Sequence, residues 1–360
     1  MTVVEETHAA HGATFREVAG RLVVDEYGRP DRTHAAVRNG VGVIEMGYGV
    51  VEVRGDDRVA FVDNAVTNRV PTADGRGCYA LLLDPQGRVE TDMYVYNAAE
   101  RLLVFTPPDR AADLAADWAE KTFIQDVEVR VATADFGVFG VHGPTATEKI
   151  ASVLNGAGAP DEHLTFVRGS MDDAGVTVVR GDGLAGEEGY EVVCAAADAA
   201  DVLDTLLVRG MNATPFGYRT WGTLTLEAGT PLFATELEGN VPNAVGIRNA
   251  LDFEKGCYVG QEVVARIENL GDPPKRLIGL LPERLPDAGA AVHDGDEHVG
   301  AVTRAAESPT REEPVALALV EGDGTGDVTV RVDGDAVPAT VASLPFVEGA
   351  DRSARLPAYP

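Results

Sequence analysis

The character of the sequence changes near residue 275, and this change constrains the fold more than any other feature. Beyond it, short runs rich in valine and leucine alternate with Gly, Asp and Pro turns, without the spacing typical of amphipathic helices. The runs lie at 277–281, 299–303, 315–320, 328–332 and 338–344. This pattern predicts two parts: residues 1–275, and a small all-β domain at 276–360 built as a barrel or a sandwich.

The first part of the chain mixes strand and helix patterns. Residues 78–83 are apolar, residues 89–95 alternate between apolar and polar, and the Asp-Pro-Gln-Gly turn at 84–87 between them predicts a hairpin. Valines spaced by three and four residues after Asp56, a candidate N-cap, predict a helix. Residues 1–30 predict an arm with one helical turn. Because strands and helices do not follow a regular βαβ order, we expect an α+β fold.

The charge balance of the 360 residues is strongly acidic. Asp and Glu number 58 against 30 Lys and Arg, which gives a formal net charge of -28 and a sequence pI near 4.5. The acids are spread along the chain, and such self-repulsion is tolerable where salt screens it. We therefore expect a protein from a halophilic, salt-accumulating organism. The same charge argues against nucleic acid as a partner, since phosphate binding needs a basic face.

The cysteine pattern limits redox and metal chemistry. Cys78, Cys194 and Cys257 are widely spaced and odd in number, so they cannot form a disulfide framework. No CxxC occurs and the histidines are scattered, so we expect no self-contained metal site. No hydrophobic run is long enough for a membrane span, and the N-terminal residues lack the apolar core of a signal peptide. We therefore expect a cytoplasmic protein with no membrane partner and, because nothing demands an oligomer, a monomer.

One cysteine lies in an unusual octapeptide, which reads Lys255-Gly256-Cys257-Tyr258-Val259-Gly260-Gln261-Glu262. The flanking glycines free the backbone and clear space around the sulfur. A cation such as Lys255 nearby lowers the pKa of a thiol and raises its thiolate fraction. From the residues alone, the stretch is either a turn around a small buried cysteine or the setting of a reactive thiol. Cys78 and Cys194 lie in apolar runs and are typical of inert core thiols.

Several short stretches carry a family resemblance besides this octapeptide. They are 55–58 (GDDR), 66–68 (VTN), 83–87 (LDPQG), 186–191 (GEEGYE), 226–231 (LEAGTP), 275–277 (KRL) and 344–347 (LPFV). Together they resemble the superfamily of the glycine-cleavage T-protein, an aminomethyltransferase, and the resemblance covers nearly the whole chain. The octapeptide resembles the signature of one branch, the YgfZ-type folate-binding proteins associated with iron–sulfur cluster assembly and repair.

The resemblance implies a T-protein-like folate-binding α+β region of two intimately mixed subdomains, followed by a small C-terminal β-barrel. It also implies a pocket for tetrahydrofolate or another reduced folate. In that pocket Glu191, beside Tyr190, would accept two hydrogen bonds from the 2-amino-pyrimidinone edge of the pteridine. Without the resemblance, Glu191 is equally well an exposed strand carboxylate.

Within the octapeptide, the resemblance favours Cys257 as the functional residue, with Lys255 supporting its thiolate. Gly256 and Gly260 would allow close approach of a partner. The Gln261 amide and the Glu262 carboxylate would form hydrogen bonds with the loop or with a ligand. The remaining residues of this predicted site are Gly256, Tyr258, Gly260, Gln261, Glu262 and Arg266, the last of which can pair with Glu262 if the segment is helical.

Some positions depart from the T-protein pattern. The catalytic aspartate expected after Asn68 is replaced by Arg69, and a fixed cation cannot act as the carboxylate that assists methylene transfer. Arg69 is either a partner for the anionic glutamyl tail of a folate or a solvated helix residue. Trp221 and Thr225 stand where T-proteins carry arginines, and Arg219 offers a partial replacement. These departures argue against aminomethyl transfer.

The sequence thus predicts a tetrahydrofolate-binding accessory protein that assembles or restores iron–sulfur clusters through Cys257. Its partners would be a reduced folate and iron–sulfur client or assembly proteins. The alternative is a folate-dependent aminomethyltransferase of the glycine-cleavage type, or a related demethylating enzyme. A third possibility, favoured by Trp221 and Thr225, is a scaffold that has lost folate binding.

The acidic composition predicts that salt stabilises the fold. Because salt screens repulsion among the 58 acids, molar NaCl should raise the melting temperature by at least about 5 °C, roughly 4 kcal/mol for a chain of this length. Thermal unfolding by circular dichroism in 0.1 M and 2 M NaCl measures this difference. Equal melting temperatures in the two solutions would contradict a high-salt origin.

Overall fold

A computed structural model describes residues 2–271, 273–322 and 326–359. Asp272, which lies at the predicted change of character, falls outside these residues. Within them, no helix is both long and apolar enough to cross a membrane.

The first part contains strands and helices interleaved along the chain. Its strands are β1 (Thr14–Val18), β2 (Arg21–Glu26), β3 (Gly42–Glu45), β4 (Gly49–Arg54), β5 (Arg76–Leu83), β6 (Val89–Asn97), β7 (Arg101–Thr106), β8 (Glu128–Val131), β9 (Phe136–His142), β10 (Phe166–Met171), β11 (Ala174–Arg180), β12 (Gly189–Ala195) and β13 (Thr214–Pro215). The helices are α1 (Glu5–Ala10), α2 (Pro30–Arg38), α3 (Arg58–Ala65), α4 (Ala111–Lys121), α5 (Ala146–Val153), α6 (Ala199–Val208), α7 (Tyr218–Glu227), α8 (Pro242–Val245) and α9 (Gln261–Leu270).

Two sheets form the centre of this part. The first sheet has the order β5-β6-β7-β4-β8, and the second has the order β10-β11-β12-β9-β3-β13. The consecutive strands β3 and β4 lie in different sheets, and so do β8 and β9, so the chain crosses between the sheets repeatedly. The predicted α+β region with two intimately mixed subdomains is therefore confirmed.

Strand β6 is buried on both faces, which decides where its polar residues lie. Successive side chains of a strand project to opposite faces. Met93 and Val95 pack with Trp118 of α4 in one core cluster. Tyr94 and Tyr96 pack in another cluster, which includes residues of the second sheet. The even-numbered face of β6 is thus directed at the space between the two sheets.

The C-terminal part is a closed barrel, which confirms the predicted all-β domain and decides between barrel and sandwich. Its strands are β14 (Lys275–Pro282), β15 (Ala291–Asp294), β16 (Glu297–Ser308), β17 (Glu313–Glu321), β18 (Asp327–Val332) and β19 (Asp335–Ala342). They close in the order β14-β17-β16-β15-β18-β19. Small and branched residues, including Ala316, Ala318 and Val330, fill its interior.

The chain does not end in the barrel. After β19 it returns to the first part, where the backbone N–H of Ala354 donates to the carbonyl of Asp182 at 2.8 Å and that of Arg352 donates to Gly186 at 3.1 Å. We call residues 350–359 the C-terminal tail. It brings side chains from beyond the barrel into contact with the first part.

The N-terminal region was wrongly predicted. Residues 1–30 were expected to form an arm with one helical turn, but α1 is followed by the hairpin β1–β2, and Val23 and Val24 are buried. The helix predicted after Asp56 exists as α3. Its N-cap position is occupied by Asp57, and no side chain caps it.

Candidate functional site

Two neighbouring cavities lie at the centre of the first part. Cavity A has a volume of about 160 Å³ and its lining includes Tyr48, Asp92, Tyr94, Phe105, Trp221, Phe233 and Arg355. Cavity B has a volume of about 440 Å³ and its lining includes Tyr96, Phe105, Phe166, Val179, Val193 and Arg168. Phe105 contributes to the walls of both. The cavities are therefore apolar and aromatic, with a small number of charged groups inside.

The most polar feature of cavity A is a buried cluster of Arg355, Asp92, Asp182, Tyr79 and Tyr94, which we call the Arg355 cluster. Arg355, from the C-terminal tail, is 3 % exposed. Its Nη1 lies 3.2 Å from Asp92 Oδ2, and its Nη2 donates to the Tyr94 hydroxyl at 2.5 Å. Its guanidinium carbon lies 3.8 Å from the centre of the Tyr79 ring. The guanidinium is thus held by ionic, hydrogen-bond and cation–π contacts together.

Asp92 has the properties of a proton-transfer group. Burial raises the pKa of its carboxyl group, although the Arg355 charge and the Tyr79 hydrogen bond oppose this. Tyr79 donates to Oδ2 at 2.9 Å, and Arg355 contacts the same oxygen. Neither of these side-chain contacts involves Oδ1, and Asp92 lines cavity A. A carboxyl group with a raised pKa and an oxygen outside these contacts can give or take a proton from a bound molecule.

Glu191 is a second buried carboxyl group, and its neighbours line both cavities although Glu191 itself lines neither. Its Oε1 accepts a hydrogen bond from Tyr48, which lines cavity A, at 2.6 Å. Two residues further along β12, Val193 lines cavity B. Burial raises the pKa of Glu191 to about 7, with a further contribution from the charge of Asp182. Its Oε2 is buried and has no partner among the described residues, so it is free for a ligand.

Tyr190, predicted beside Glu191 in the same pocket, faces the other way. Neighbouring residues of a strand project to opposite faces, and Tyr190 packs in the cluster that includes Ile150 of α5. Its hydroxyl lies 2.8 Å from that of Thr147. The predicted contact of Tyr190 with a folate stays a prediction, and its packing on the opposite face of the strand from Glu191 counts against it.

The two arginines predicted near a folate lie at the surface. Arg69 pairs with Asp252 at 2.9 Å, and its side chain is 62 % exposed. Arg219 pairs with Asp25 and with Glu26 at 3.2 and 3.4 Å. Neither arginine lines cavity A or cavity B. Their predicted contacts with a bound folate receive no support from these positions.

Trp221 lies in the wall of cavity A, and its predicted contact with a folate stays a prediction. Its side chain packs against the ring of His142 at 4.8 Å. Thr225, one turn later on α7, accepts a hydrogen bond from Arg304 Nη1 of the barrel at 3.1 Å. An arginine from β16 therefore contacts the position where the T-protein pattern has an arginine of its own.

Lys255 of the octapeptide binds backbone carbonyl groups and so stabilises the local structure. Its ammonium is buried and donates to the backbone carbonyls of Asp63, Val66 and Asn68, at 2.7 Å for Val66 and 3.1 Å for Asn68. These carbonyls lie at and just beyond the C-terminal end of α3, where a cation is favoured. The predicted support of a Cys257 thiolate by Lys255 stays a prediction, and these contacts count against it.

Other residues of the octapeptide also fix the backbone. Tyr258 is 8 % exposed and packs in the central core. Gly260 has φ +80°, and a Cβ there would lie 2.7 Å from the carbonyl oxygen of Asp84, so only glycine fits against the turn at 84–87. Gln261 then begins α9, with Glu262 in its first turn.

Cys257 and Gly256 are exposed in the loop that precedes α9. Arg266 is exposed on α9, one turn beyond Glu262, so the predicted helical segment is present. Of the described residues 255–262, none lines cavity A or cavity B. The octapeptide is therefore a surface feature apart from the cavities, and a functional role for Cys257 stays a prediction.

The sequence analysis missed the Arg355 cluster. Asp92, Asp182 and Arg355 are far apart in the chain, and no short motif joins them. One signal was available: Asp92 is followed in the same strand by the four apolar residues 93–96. An acid beside such a run is either exposed to solvent or buried with partners that compensate its charge. Because both faces of β6 are covered at this position, Asp92 is the buried case.

Comparison with known proteins gives a consistent result. The GCVT N-terminal domain family matches residues 4–255, and the glycine cleavage T-protein C-terminal barrel domain matches residues 275–348. The chain is 32 % identical over 366 residues to an aminomethyltransferase of Cutibacterium acnes, with 96 % of this chain and 97 % of that protein covered. It is 31 % identical over 359 residues to an aminomethyltransferase of Saccharopolyspora erythraea, with 96 % and 97 % covered.

A solved structure shares the fold. The crystal structure of the glycine cleavage system aminomethyltransferase T from Bartonella henselae superposes with a TM-score of 0.84 at 23 % identity, covering 96 % of this chain and 98 % of that one. At this identity the likeness concerns the fold, which is the same mixed region followed by a barrel.

The contacts of Lys255 predict a stability effect. Lys255→Met leaves the three carbonyls without their donor, so we expect the free energy of unfolding to fall by about 3 kcal/mol. Urea unfolding followed by fluorescence measures it. Lys275→Met, at an exposed lysine on β14, is the matched control and should stay within about 0.5 kcal/mol. A Lys255→Met protein as stable as the control would show that these contacts contribute little.

Proposed function

Because the chain belongs to the glycine cleavage T-protein family, we propose that it is a tetrahydrofolate-dependent aminomethyltransferase. The observation that carries this proposal is the buried Asp92 carboxyl group, which lines cavity A and has one oxygen outside its contacts with Tyr79 and Arg355. The names of the relatives, which match over nearly the full length of the chain, support the same activity.

The hypothesis of an iron–sulfur accessory protein was wrong. It rested on the octapeptide around Cys257, yet full-length relatives at about 30 % identity are named aminomethyltransferases. Iron–sulfur client proteins lose their support as partners together with that hypothesis, and so does the assignment to the YgfZ-type branch. These relatives give more support to the alternative hypothesis, a folate-dependent transferase.

The presence of Arg69 is also no longer an argument against aminomethyl transfer. That argument assumed that the carboxylate for methylene transfer must follow Asn68, and that its replacement removes the acid from the site. Arg69 instead lies at the surface in an ion pair with Asp252. Asp92 supplies a carboxyl group inside the cavity from a different strand.

The residues present fit a reduced folate. The free, buried Oε2 of Glu191 suits the 2-amino-pyrimidinone edge of a pteridine, which offers two adjacent N–H donors. Tyr96 and Phe166, in the wall of cavity B, offer aromatic faces for a flat ring. Aminomethyltransferases of this family use tetrahydrofolate, so the predicted cofactor is confirmed at the level of the family. Tetrahydrofolate supplies the nitrogens that accept a one-carbon unit.

The residues of the Arg355 cluster have distinct roles in this proposal. Asp92 gives or takes a proton at Oδ1. Tyr79 and Arg355 hold Oδ2, so the other oxygen keeps one orientation. The aromatic and apolar walls lower the local dielectric constant, which strengthens each charge interaction inside. A cytoplasmic location and a high-salt origin remain our proposals, the second open to the salt experiment described above.

Replacement of Asp92 tests the activity directly. Asp92→Asn removes the proton-transfer group and keeps the shape, so we expect kcat for one-carbon transfer from an aminomethyl donor to tetrahydrofolate to fall at least about 100-fold. Folate affinity, measured by calorimetry, should change little. Arg69→Ala and Cys257→Ala are controls and should keep activity within about twofold. A wild-type protein that transfers no one-carbon unit would overturn the proposal, and folate binding would then separate a binding protein from a scaffold.

The pKa of Glu191 predicts how folate affinity varies with pH. Only the ionised carboxylate accepts two hydrogen bonds, and its pKa is about 7, so affinity should fall as the pH drops through 7. From pH 8 to pH 6 we expect the dissociation constant of tetrahydrofolate to rise about tenfold. Glu191→Gln should bind more weakly and lose this dependence, whereas Glu162→Gln, at an exposed residue, should retain it. The same pH dependence in Glu191→Gln and wild type would exclude Glu191 as its source.

A further inference from the structure

Asp182 is a buried carboxylate that no part of the proposed reaction requires. It lies in the loop between β11 and β12 and is 3 % exposed. A carboxylate in such a place is unfavourable unless it is paired and hydrogen-bonded. Tyr94 donates to its Oδ1 at 2.7 Å, and Arg355 Nε lies 3.5 Å from its Oδ2. Arg355 is therefore shared between Asp182 and Asp92, whereas each carboxyl group has its own tyrosine, Tyr94 for Asp182 and Tyr79 for Asp92.

The loop of Asp182 also receives the C-terminal tail. The backbone carbonyl of Asp182 accepts from Ala354, next to Arg355 in the chain. A Cβ on Gly183 would lie 2.4 Å from the carbonyl oxygen of Arg352, so the loop is shaped for close approach of the tail. Asp182 thus contacts the tail through its main chain and its side chain at once.

Together these contacts divide the guanidinium of Arg355 between two carboxylates. Its Nε lies at ion-pair distance from Asp182, without a hydrogen bond, and its Nη1 donates to Asp92. We propose that Asp182 is a positioning residue that draws Arg355 partly away from Asp92 and so keeps Asp92 available for proton transfer. This inference rests on the proposed transferase function.

The physical reason is competition for one positive charge. A guanidinium that pairs with a single carboxylate in the two-bond arrangement stabilises the ionised form strongly. Here Arg355 is shared, and the pKa of Asp92 stays raised by burial. The groups that face Asp92 and Glu191 in this centre are Arg355, Asp182, Tyr48, Tyr79, Tyr94, Tyr96 and Tyr218.

The test removes the charge of Asp182 and keeps its shape. Asp182→Asn can still accept from Tyr94, but it leaves Arg355 to pair with Asp92 alone. We expect the acidic limb of the kcat/KM profile against pH to move down by at least about 1 pH unit, and kcat on the plateau to fall about three- to tenfold, because a less basic group accepts a proton more slowly. Asp182→Glu restores the charge and should return the limb toward its wild-type position.

A second readout does not depend on turnover. The charge of Asp182 contributes to the raised pKa of Glu191, so Asp182→Asn should also lower the pH midpoint of tetrahydrofolate binding. Asp173→Asn, at an exposed residue of the preceding turn, is the control and should move neither midpoint. Asp182→Ser repeats the test with a different neutral side chain if the asparagine variant does not fold.

The outcomes separate the two proposals. If the wild-type protein transfers no one-carbon unit, the proposed function fails whatever Asp182 does. If the wild type is active and Asp92→Asn is equally active, Asp92 is not the proton-transfer group, and the positioning role of Asp182 is overturned with it. If Asp92→Asn is inactive but the neutral Asp182 variants keep the wild-type pH profile, Asp182 serves only to hold the structure and the positioning role is overturned. The positioning role is supported if the acidic limb of the kcat/KM profile moves in both Asp182→Asn and Asp182→Ser and returns toward its wild-type position in Asp182→Glu.

Discussion

The buried guanidinium of Arg355 is the interaction on which the arrangement of the centre depends. It comes from the C-terminal tail, beyond the barrel, and its partners belong to β6 and to the loop before β12. A buried charge without its partners is strongly unfavourable. The tail, the first sheet and this loop are therefore coupled, because removal of any one leaves uncompensated charge at the centre. The site is complete only when both ends of the fold have assembled.

The strands make this centre rigid. Asp92 and Tyr94 lie on one face of β6, while Met93 between them packs under α4. Because both faces of the strand are covered, neither polar residue can turn toward water without disturbing a packed core. A functional group on a fully buried strand is thereby held at one position and one orientation, as proton transfer requires.

Much of the fold could be predicted from local patterns. The hairpin β5–β6 and the barrel strands follow from alternation and turn residues, which depend on neighbours in the sequence. Asp92 could not be predicted in this way. Apolar residues at 89, 93 and 95 indicate one buried face of the strand, but they do not show whether the opposite face, which carries Asp92, is also buried. Only the packing of the second sheet over β6 shows that both faces are buried. The sequence around Arg355 indicates even less, because the burial of this residue depends entirely on where the C-terminal tail packs.

The octapeptide shows the opposite situation, in which a distinctive local sequence has structural roles for several of its residues, while a functional role for Cys257 stays a prediction. Its lysine, its tyrosine and Gly260 are explained by capping, core packing and close backbone approach. A short motif can be distinctive because its backbone is demanding, with no chemistry attached. The proposed one-carbon transfer needs a carboxyl group inside the cavity. The position of that residue in the sequence does not matter if a strand places its side chain there. The replacement of an expected acid by Arg69 therefore carries little weight, because β6 places Asp92 in the cavity and the tail supplies its counter-charge.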